Sequence, residues 1–325
     1  MSIKKKTISV MIPTYNEEEN AREIYEAVRD EIKTKLPNYN YEILFIDNKS
    51  QDRTRDIIRQ ICAEDKCVKA ILNAKNFGQF NSPYYGITQT SGDCTITICA
   101  DFQDPVEMIP KFVEAWEQGY KIVVGRKTKS KENGLVYFLR GCYYKLIRKM
   151  SSVEMIEQFT GFGLYDCTFV ETLRQLKDPT PFIRGIVAEL GPERKEIEYT
   201  QPQRRAGKTH NNWYSLFDAA MLSFTSYTKV GMRIAEFFGF ATAAVSFVIG
   251  MIYLVAKLVN WDGFTAGYAP MMIAVFFMGG IQLAFLGFIG EYIMAMNTRI
   301  MNRPLVVEEE RLNFEKVKQN EEAIV

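Results

Sequence analysis

The sequence predicts an α/β domain built on a mainly parallel sheet, followed by an α-helical hairpin that spans a membrane. Three observations carry this prediction. Apolar, β-branched runs alternate with helical segments between Ile8 and Val124. Three of the runs close on polar side chains, at Asn16, Asp47 and Asp101. Two long stretches without a charged residue follow in the last third of the chain.

The composition excludes several classes of function. The 40 basic and 39 acidic residues nearly cancel, so no nucleic-acid partner is expected. The single histidine, His210, argues against a histidine-rich metal site and against a histidine-based triad. The six cysteines form no C-x-x-C motif and precede the uncharged stretches, which indicates reduced thiols on the cytosolic side. Pro13 ends the first apolar run too early for a signal peptide, so this run is predicted as a strand.

The elements of the first domain are read from the hydrophobic runs and the residues that interrupt them. Asn16 is predicted as the N-cap of the first helix, with residues 17–19 in its first turn and its end near Pro37. The predicted strands are 8–12, 41–46, 68–72, 96–98 and 121–124. The further predicted helices are 53–61, 83–90 and 105–117, and a glycine-punctuated turn at 160–166 leads into another strand or helix.

The polar residues that follow the strands indicate a nucleotide pocket. Alternating strands and helices imply right-handed crossovers, and ligands bind at the carboxyl edge of such a sheet. The chain has no G-x-G-x-x-G after its first strand and no G-x-x-x-x-G-K-[ST]. A dinucleotide-dependent dehydrogenase and a P-loop enzyme are therefore disfavoured.

The stretch from Thr95 to Pro105 is the most informative one. It begins as an apolar strand and then presents Asp101, Gln103 and Asp104. Asp101 and Gln103 are two apart, so on an extended segment they point the same way. Their oxygens suit Mg²⁺ or Mn²⁺ holding a diphosphate. The alternative is an acidic loop that caps the next helix, with Asp104 as N-cap and Pro105 at the first helical position.

Two basic segments are candidate anion sites. Residues 127–133 form a charged loop, and the predicted helix 136–150 after it carries Arg140. This face contacts an anion or a membrane surface, or it is an ordinary solvated face. The loop 204–209 has a central glycine between cations, which can clamp a phosphate, or it is a plain basic connector.

The last third predicts membrane attachment. Residues 213–227 have the pattern of an amphipathic helix in the membrane interface, with a core helix as the alternative. Residues 237–256 and 263–290 carry no charge, and about 20 residues at ~1.5 Å rise cross ~30 Å of hydrocarbon. The short link between them, 257–262, makes a hairpin.

Charge sets the orientation of this hairpin. Lys229, Arg233, Arg299 and Arg303 flank its outer ends, against Lys257 alone in the link. The large domain and the C-terminal tail are therefore predicted to lie in the cytoplasm, at the inner membrane. The predicted regions are a cytosolic domain (1–210), interfacial helices (211–233), the hairpin (234–298) and a cytosolic C-terminal tail (299–325). Residues 304–325 of this tail are acidic and polar and are predicted to be loosely ordered.

Short motifs recur along almost the whole chain. They are Ser9–Glu17, Ile46-Asp47 with Ser50 and Asp52, Asn76-Phe77-Gly78, Gly92-Asp93, Ala100–Pro105, Gly125-Arg126, Thr160-Gly-Phe162, Arg204–Thr209, Gly290-Glu-Tyr292 and Arg303-Pro-Leu305. In order and spacing they resemble glycosyltransferase family 2 enzymes of the GT-A fold. Within that family the chain resembles the polyprenyl-phosphate glycosyltransferases, the dolichyl-phosphate mannosyltransferase-like branch with two transmembrane helices.

This resemblance implies a role for individual residues. The base and ribose of the nucleotide would be lined by Pro13, Tyr15, Glu17 and Asp47, with Asp93 beneath the nucleotide. The divalent metal would be held by Asp101 and Gln103. The acceptor phosphate would meet Arg126 and Arg140, and the leaving diphosphate would be covered by Arg204 and Lys208.

The chain departs from the family at three positions. Cys99 stands where the family's D-x-D triplet usually has an acid, and a thiol is a poor Mg²⁺ ligand. Asp101 is therefore the only metal-binding acid of that triplet. Glu157 stands near where relatives carry an aspartate, and His210 stands where a lysine is common.

The resemblance implies an inverting transfer of one sugar from a nucleotide-diphosphate sugar, with a UDP-hexose favoured, to undecaprenyl phosphate. A phosphate monoester is already anionic at neutral pH, so it can attack without a strong general base. Relatives also imply that the protein forms a homo-oligomer, specifically a tetramer. Close packing of its helices would be allowed by Gly279, Gly280, Gly287 and Gly290. The alternatives are a processive polysaccharide synthase, whose Q-x-x-R-W motif is missing, and a non-catalytic membrane scaffold, which Cys99 motivates.

Overall fold

A computed structural model describes most of the chain. The described residues are 5–128, 156–191, 193–202, 205, 221, 237–242, 244–245, 248, 251–252, 255, 258–259 and 268–314. The chain divides into two compact units. One comprises residues 1–141, 154–212 and 302–325, and the other comprises residues 142–153 and 213–301.

The first unit alternates strands with helices, as the sequence predicts. Its strands are β1 (Thr7–Thr14), β2 (Asn40–Asp47), β3 (Val68–Asn73), β4 (Cys94–Thr97), β5 (Ile122–Lys127), β6 (Phe159–Asp166), β7 (Lys195–Tyr199) and β8 (Glu308–Leu312). Its helices are α1 (Ala21–Lys35), α2 (Thr54–Glu64), α3 (Gly78–Thr88), α4 (Ile109–Glu117), α5 (Cys167–Gln175) and α6 (Ile183–Leu190), with a 3₁₀ turn at Val106–Met108 before α4.

The eight strands form one sheet in the order β7-β5-β6-β4-β1-β2-β3-β8. β1 pairs in parallel with both β2 and β4, and β3 extends this parallel set on β2. β6 runs antiparallel between β4 and β5, so β5 and its parallel partner β7 point the same way as β4. β8 closes the other side, antiparallel to β3. The predicted α/β class and mainly parallel sheet are confirmed.

Burial explains why the central strands read as continuous apolar runs. Residues 8–12 of β1 and 43–46 of β2 are fully buried, as expected for parallel strands covered on both faces. α1 packs on this sheet through Ile24, Val28 and Ile32, which recur at helical spacing. The core therefore lies on both sides of β1, and the turns after β1, β2 and β4 share one edge.

The start of the first helix differs from the prediction. α1 begins at Ala21 with Asn20 at the N-cap position, not after Asn16. Asn16 has φ 55°, a left-handed conformation that asparagine tolerates better than most residues. Its side-chain oxygen accepts a hydrogen bond from the backbone of Gln51 at 2.8 Å. Asn16 therefore joins two turns at the sheet edge instead of capping a helix.

Two segments read as loops are strands. Residues 160–166, predicted as a turn that leads into another element, lie in β6. Gly163 lets β6 approach β5 closely, because a Cβ at this position would lie 2.4 Å from the carbonyl oxygen of Val123. Residues 308–312, predicted as part of a loose acidic tail, form β8. A strand at the edge of a sheet pairs through its backbone groups. It can therefore carry acidic side chains, provided that nearby basic side chains form ion pairs with them.

The second unit contains a long apolar helix, α7 (Tyr268–Met301), of 34 residues. Within the described part of the chain, one helix is long and apolar enough to cross a membrane, at Met278–Met301. Every described position between 237 and 259 is also helical. Large apolar side chains on both segments, such as Phe240 and Leu283, are exposed. The predicted interfacial helices at 211–233 lie outside the described residues, except Met221.

Candidate active site

The carboxyl ends of β1, β2 and β4 meet at one edge of the sheet, because the three strands are parallel neighbours. Thr14, the last residue of β1, is level with Asp47, the last residue of β2. The chain continues the β4 direction past Thr97, since Ile98 donates to the carbonyl of Met11 at 3.1 Å. The segment that carries Asp101 therefore leaves the sheet at the same edge.

The segment after β4 is a compact turn, not the extended strand that was expected. Phe102 has φ 59°, and the backbone N–H of Gln103 donates to Asp101 Oδ1 at 3.1 Å. The rule that residues two apart on an extended strand point the same way therefore does not apply to Asp101 and Gln103. Both residues are half-buried, so each remains accessible from solvent at the sheet edge.

Asp104 holds this turn in place through its side chain. Its side chain is buried and accepts hydrogen bonds from Cys99 N at 3.1 Å and from Tyr199 Oη at 3.3 Å. Burial raises the pKa of Asp104 and also that of Tyr199. The expected helix cap is absent, because Pro105 is extended and a 3₁₀ turn precedes α4. Asp104 instead links the segment after β4 to the end of β7.

The residues present fit a divalent metal bound together with a diphosphate. No cluster of three histidine, cysteine or acidic side chains that could form a closed cage occurs among the described residues. Mg²⁺ is commonly held by one or two protein oxygens plus substrate phosphates, and Asp101 and Gln103 offer such a pair. Cys99 reaches solvent, but crowding by protein atoms and the carboxylates of Asp104 and Asp101 raise its pKa well above the ordinary value. A thiol is also a soft ligand that suits Mg²⁺ poorly, so Cys99 does not replace the missing acid.

Asp47 lies at the expected edge, but its side chain is completely buried. Its carboxylate accepts hydrogen bonds from the N–H of Ser50 at 3.1 Å and from the Ser50 hydroxyl, and it lies 3.0 Å from Arg55 Nε. Burial raises the pKa of Asp47 against the opposing effect of Ser50 and Arg55. In this structure Asp47 therefore holds the turn 48–52 in place and offers no exposed oxygen to a base.

Backbone and side-chain contacts join the turns after β1 and β2. Asn16 N donates to Ser50 Oγ at 2.9 Å, and Glu17 N donates to Thr54 Oγ1 at 2.9 Å. The side chain of Glu17 accepts a hydrogen bond from Asn20. These contacts hold the predicted donor residues Pro13, Tyr15 and Glu17 at the same edge as the turn after β2.

Asp93 does not belong to this site. It precedes β4, and its carboxylate accepts a hydrogen bond from the backbone of Thr7, at the start of β1, at 2.7 Å. The whole of β4 lies between Asp93 and Asp101. Because parallel strands begin at the edge opposite to the one where they end, the placement of Asp93 beneath the nucleotide was wrong.

Arg126 lies at the site edge near the end of β5. It pairs with Glu198 of β7, and its Nε lies 3.8 Å from Glu196. The hydrogen bond with Glu198 raises the pKa of Arg126. An acceptor phosphate would therefore have to share this cation with two carboxylates. Arg140, Arg204 and Lys208, the other predicted anion ligands, lie outside the described residues.

A small cavity of about 330 Å³ lies beside these groups. It is bounded by Pro105 just before the 3₁₀ turn, by Lys111 of α4, by Thr128 after β5, and by Glu198 and Tyr199 of β7. Sequence reasoning did not identify β7 or its two site residues. The alternation of charged and apolar residues in β7 was the available signal.

With the fold and this edge described, comparison with known proteins identifies the chain as a glycosyltransferase. Residues 9–174 match the family described as Glycosyl transferase family 2, and the chain belongs to that family. The bactoprenol glucosyl transferase of Shigella phage SfV is 31% identical over 91% of this chain and 96% of its own length. The prophage bactoprenol glucosyl transferase homolog of Escherichia coli K12 is 30% identical over the same shares. The resemblance to the polyprenyl-phosphate branch of the family is confirmed.

More distant solved structures also match. The glucosyl-3-phosphoglycerate synthase of Mycobacterium tuberculosis, solved with Mn²⁺ and UDP-glucose, is 17% identical over 68% of this chain and 78% of its own, with a TM-score of 0.47.

Proposed function

We propose that this glycosyltransferase moves one hexose from a UDP-sugar to undecaprenyl phosphate at the cytoplasmic face of the inner membrane. The single observation that carries the proposal is the near full-length similarity to bactoprenol glucosyl transferases. The geometry supports it, since the turns after β1, β2 and β4 meet at one sheet edge and Asp101 and Gln103 lie there.

The chain's own residues have separate tasks in this reaction. The joined turns after β1 and β2 bind the nucleotide, with Tyr15 and Glu17 at their surface. Asp101 and Gln103 hold Mg²⁺ or Mn²⁺, which when bound neutralises the charge that develops on the departing diphosphate. Arg126 orients the acceptor phosphate. Membrane attachment keeps the lipid phosphate close to the donor sugar and so contributes proximity, not chemistry. Arg140, Arg204 and Lys208 complete the anion contacts.

The acceptor explains why no strong base is required. A phosphate monoester has a second pKa near ~6 and is therefore largely a dianion at neutral pH. Its oxygen attacks the anomeric carbon as the bond to the UDP oxygen breaks, so a single displacement inverts the anomeric configuration. Both electrons of the broken bond leave with UDP, and no proton transfer is needed.

The second unit anchors the enzyme in the membrane. The apolar segments 237–256 and 263–290 form the proposed two-helix hairpin, with both termini in the cytoplasm. The exposed apolar side chains of α7 support this assignment. A homotetramer is proposed from the resemblance and from the small residues of α7.

The test is an assay with the purified full-length protein. It is incubated with undecaprenyl phosphate, Mg²⁺ or Mn²⁺, and a panel of UDP- and GDP-sugars, and the lipid product is identified by mass. We expect a lipid-linked monosaccharide from one donor, in the anomeric configuration opposite to that of the donor. A folded protein that yields no product from any donor would contradict the proposal and favour a non-catalytic scaffold; products with several sugars would indicate a processive synthase.

A further inference from the structure

The C-terminal strand brings a carboxylate to the turn that follows β2. Glu309 in β8 accepts from Lys49 Nζ at 2.6 Å, and from Arg55 Nη1 and Nη2 at 3.0 and 3.1 Å. Lys49 lies in the turn itself, and Arg55 lies in the first turn of α2. One carboxylate, 254 residues after Arg55 in the chain, therefore contacts both ends of the turn.

Arg55 carries this contact into the protein. Its guanidinium donates to the carbonyl of Asn73 at 3.0 Å, and its Nε lies 3.0 Å from Asp47 Oδ1. Arg55 is 12% exposed and Asp47 is fully buried. The Nε contact is ionic and lacks the geometry of a hydrogen bond. The orientation of the guanidinium is therefore set by the Glu309 carboxylate and the Asn73 backbone carbonyl, which accept hydrogen bonds from its terminal N–H groups.

The turn itself needs support. Lys49 has φ 67°, a left-handed conformation that is costly for a lysine. Its side chain is held by Glu309, and its carbonyl accepts from Gln51 Nε2 at 3.0 Å. The next residue, Ser50, accepts from Asn16 N at 2.9 Å. A displaced Lys49 would therefore move the turn after β1, where Tyr15 and Glu17 lie.

We propose that Glu309 is a positioning residue for the nucleotide of the sugar donor. It fixes Lys49 and Arg55, and through them it sets the geometry of the two turns that bind the nucleotide. The C-terminal strand that follows α7 is thus a working part of the donor site. This inference rests on the proposed function, since it requires that these turns bind a nucleotide.

The same strand supplies a matched control. Glu310, the next residue, pairs with Arg59 of α2 at 2.8 Å. Arg59 also pairs with Asp56 on the same helix, and neither side chain contacts the turn after β2. Glu310→Gln therefore removes one ion pair between β8 and α2, as Glu309→Gln does, without disturbing Lys49 or Arg55.

The experiment compares the full-length wild type with Glu309→Gln, Glu309→Asp and Glu310→Gln. UDP binding in the presence of Mg²⁺ is measured by calorimetry, and the KM values for donor and acceptor are measured in the transfer assay. We expect Glu309→Gln to weaken UDP binding and raise the donor KM about three- to fivefold, because the two ion pairs that it loses, to Lys49 and Arg55, are partly exposed. The acceptor KM and kcat should stay unchanged, Glu309→Asp should recover part of the loss, and Glu310→Gln should match the wild type.

The outcomes separate the two claims. Equal donor KM values in the Glu309→Gln and Glu310→Gln variants, with equal melting temperatures, would overturn the positioning role while leaving the proposed function intact. An equal loss in both variants together with lower melting temperatures would also overturn it, because the strand would then act only through stability. A wild type that binds neither UDP nor GDP would overturn the proposed function and this inference with it.

Discussion

Asp104 shows how one buried carboxylate can shape the turn that carries Asp101 and Gln103. It accepts from Cys99 N and from Tyr199 Oη, and it therefore ties the segment after β4 to the end of β7. An asparagine at this position keeps one acceptor oxygen but replaces the other with a donor group. The amide oxygen can still accept from Cys99 N only if the Tyr199 hydroxyl turns to accept from the amide nitrogen, and this rearrangement weakens the link by about 1 kcal/mol.

The Asp104→Asn variant should therefore bind UDP almost normally but transfer sugar about tenfold more slowly, since Asp101 and Gln103 shift with the turn. Tyr199→Phe removes only the second contact and should have a smaller effect. Both variants are compared with the wild type by single-turnover rates and melting temperatures. An Asp104→Asn enzyme with the wild-type rate would show that the turn does not depend on this anchor.

Glu42 makes the stability of the sheet depend on pH. It is buried in β2, accepts from Ser91 and Ser9, and lies 2.5 Å from Lys69 Nζ. Burial by itself would raise the pKa of Glu42, but Lys69 and the serines outweigh it and lower the pKa below its ordinary value of 4.5. A carboxyl with a lowered folded-state pKa stabilises the fold above its unfolded pKa, and this stabilisation is lost as the pH falls through the folded-state value.

We expect Glu42→Gln to lower the melting temperature at pH 7, because Lys69 loses its charged partner. The difference from the wild type should shrink as the pH falls below about 4.5. Melting temperatures measured from about pH 3.5 to about pH 8 provide the test. A difference that stays constant with pH would mean that the charge on Glu42 contributes nothing.

At the level of secondary structure elements, β8 protects an edge. It covers β3, whose unpaired backbone groups would otherwise be open to another chain. Asn313, just after β8, donates to the carbonyls of Cys62 and Val68 at 2.6 and 2.7 Å. These contacts fix the strand at its end.

A chain that ends at Val307 should therefore lose several kcal/mol of stability and aggregate, while a chain that ends at Phe314 should behave as the wild type. The chain that ends at Phe314 keeps β8 and Asn313, so it serves as the control for the change in length. Size-exclusion profiles and melting temperatures report the difference. Equal behaviour of the two truncated proteins would refute a structural role for β8.

The elements also show what the sequence could reveal. The runs of β1 to β5 were visible because parallel strands buried on both faces are uniformly apolar. β7 and β8 were not visible, because their charged side chains, such as Glu198 and Glu309, meet cations that are distant in sequence. The position of Asp101 followed from strand order, whereas the burial of Asp47 under Ser50 and Arg55 depends on tertiary contacts that no local pattern records.

For Asp93, a motif resemblance gave the wrong location. The residue adjoins an apolar strand, as Asp101 does, but it precedes the strand instead of following it. The direction of the chain through the sheet decides which edge a polar residue reaches. Reading that direction from the sequence would have excluded Asp93 from the donor site.

At the level of the whole molecule, the proposed tetramer and hairpin make a joint prediction. The detergent-solubilised protein should have a mass four times that of one 37.4 kDa chain, after correction for detergent. Gly279→Leu, at a position where an added Cβ would lie within 4 Å of no other group among the described residues, should reduce that mass if α7 packs against other copies. Multi-angle light scattering measures both, and a monomeric wild type would contradict the assembly.

The central claim is that Asp101, at the edge of the parallel sheet, carries metal-dependent sugar transfer to a lipid phosphate. The most direct measurement is the rate of lipid-linked hexose formation by the wild type and by Asp101→Asn, each titrated with Mg²⁺. We predict a metal-dependent rate for the wild type that EDTA abolishes, and a loss of about 100-fold or more in the variant, with the melting temperature unchanged. An Asp101→Asn enzyme that transfers sugar at the wild-type rate and with the same metal dependence would contradict the account.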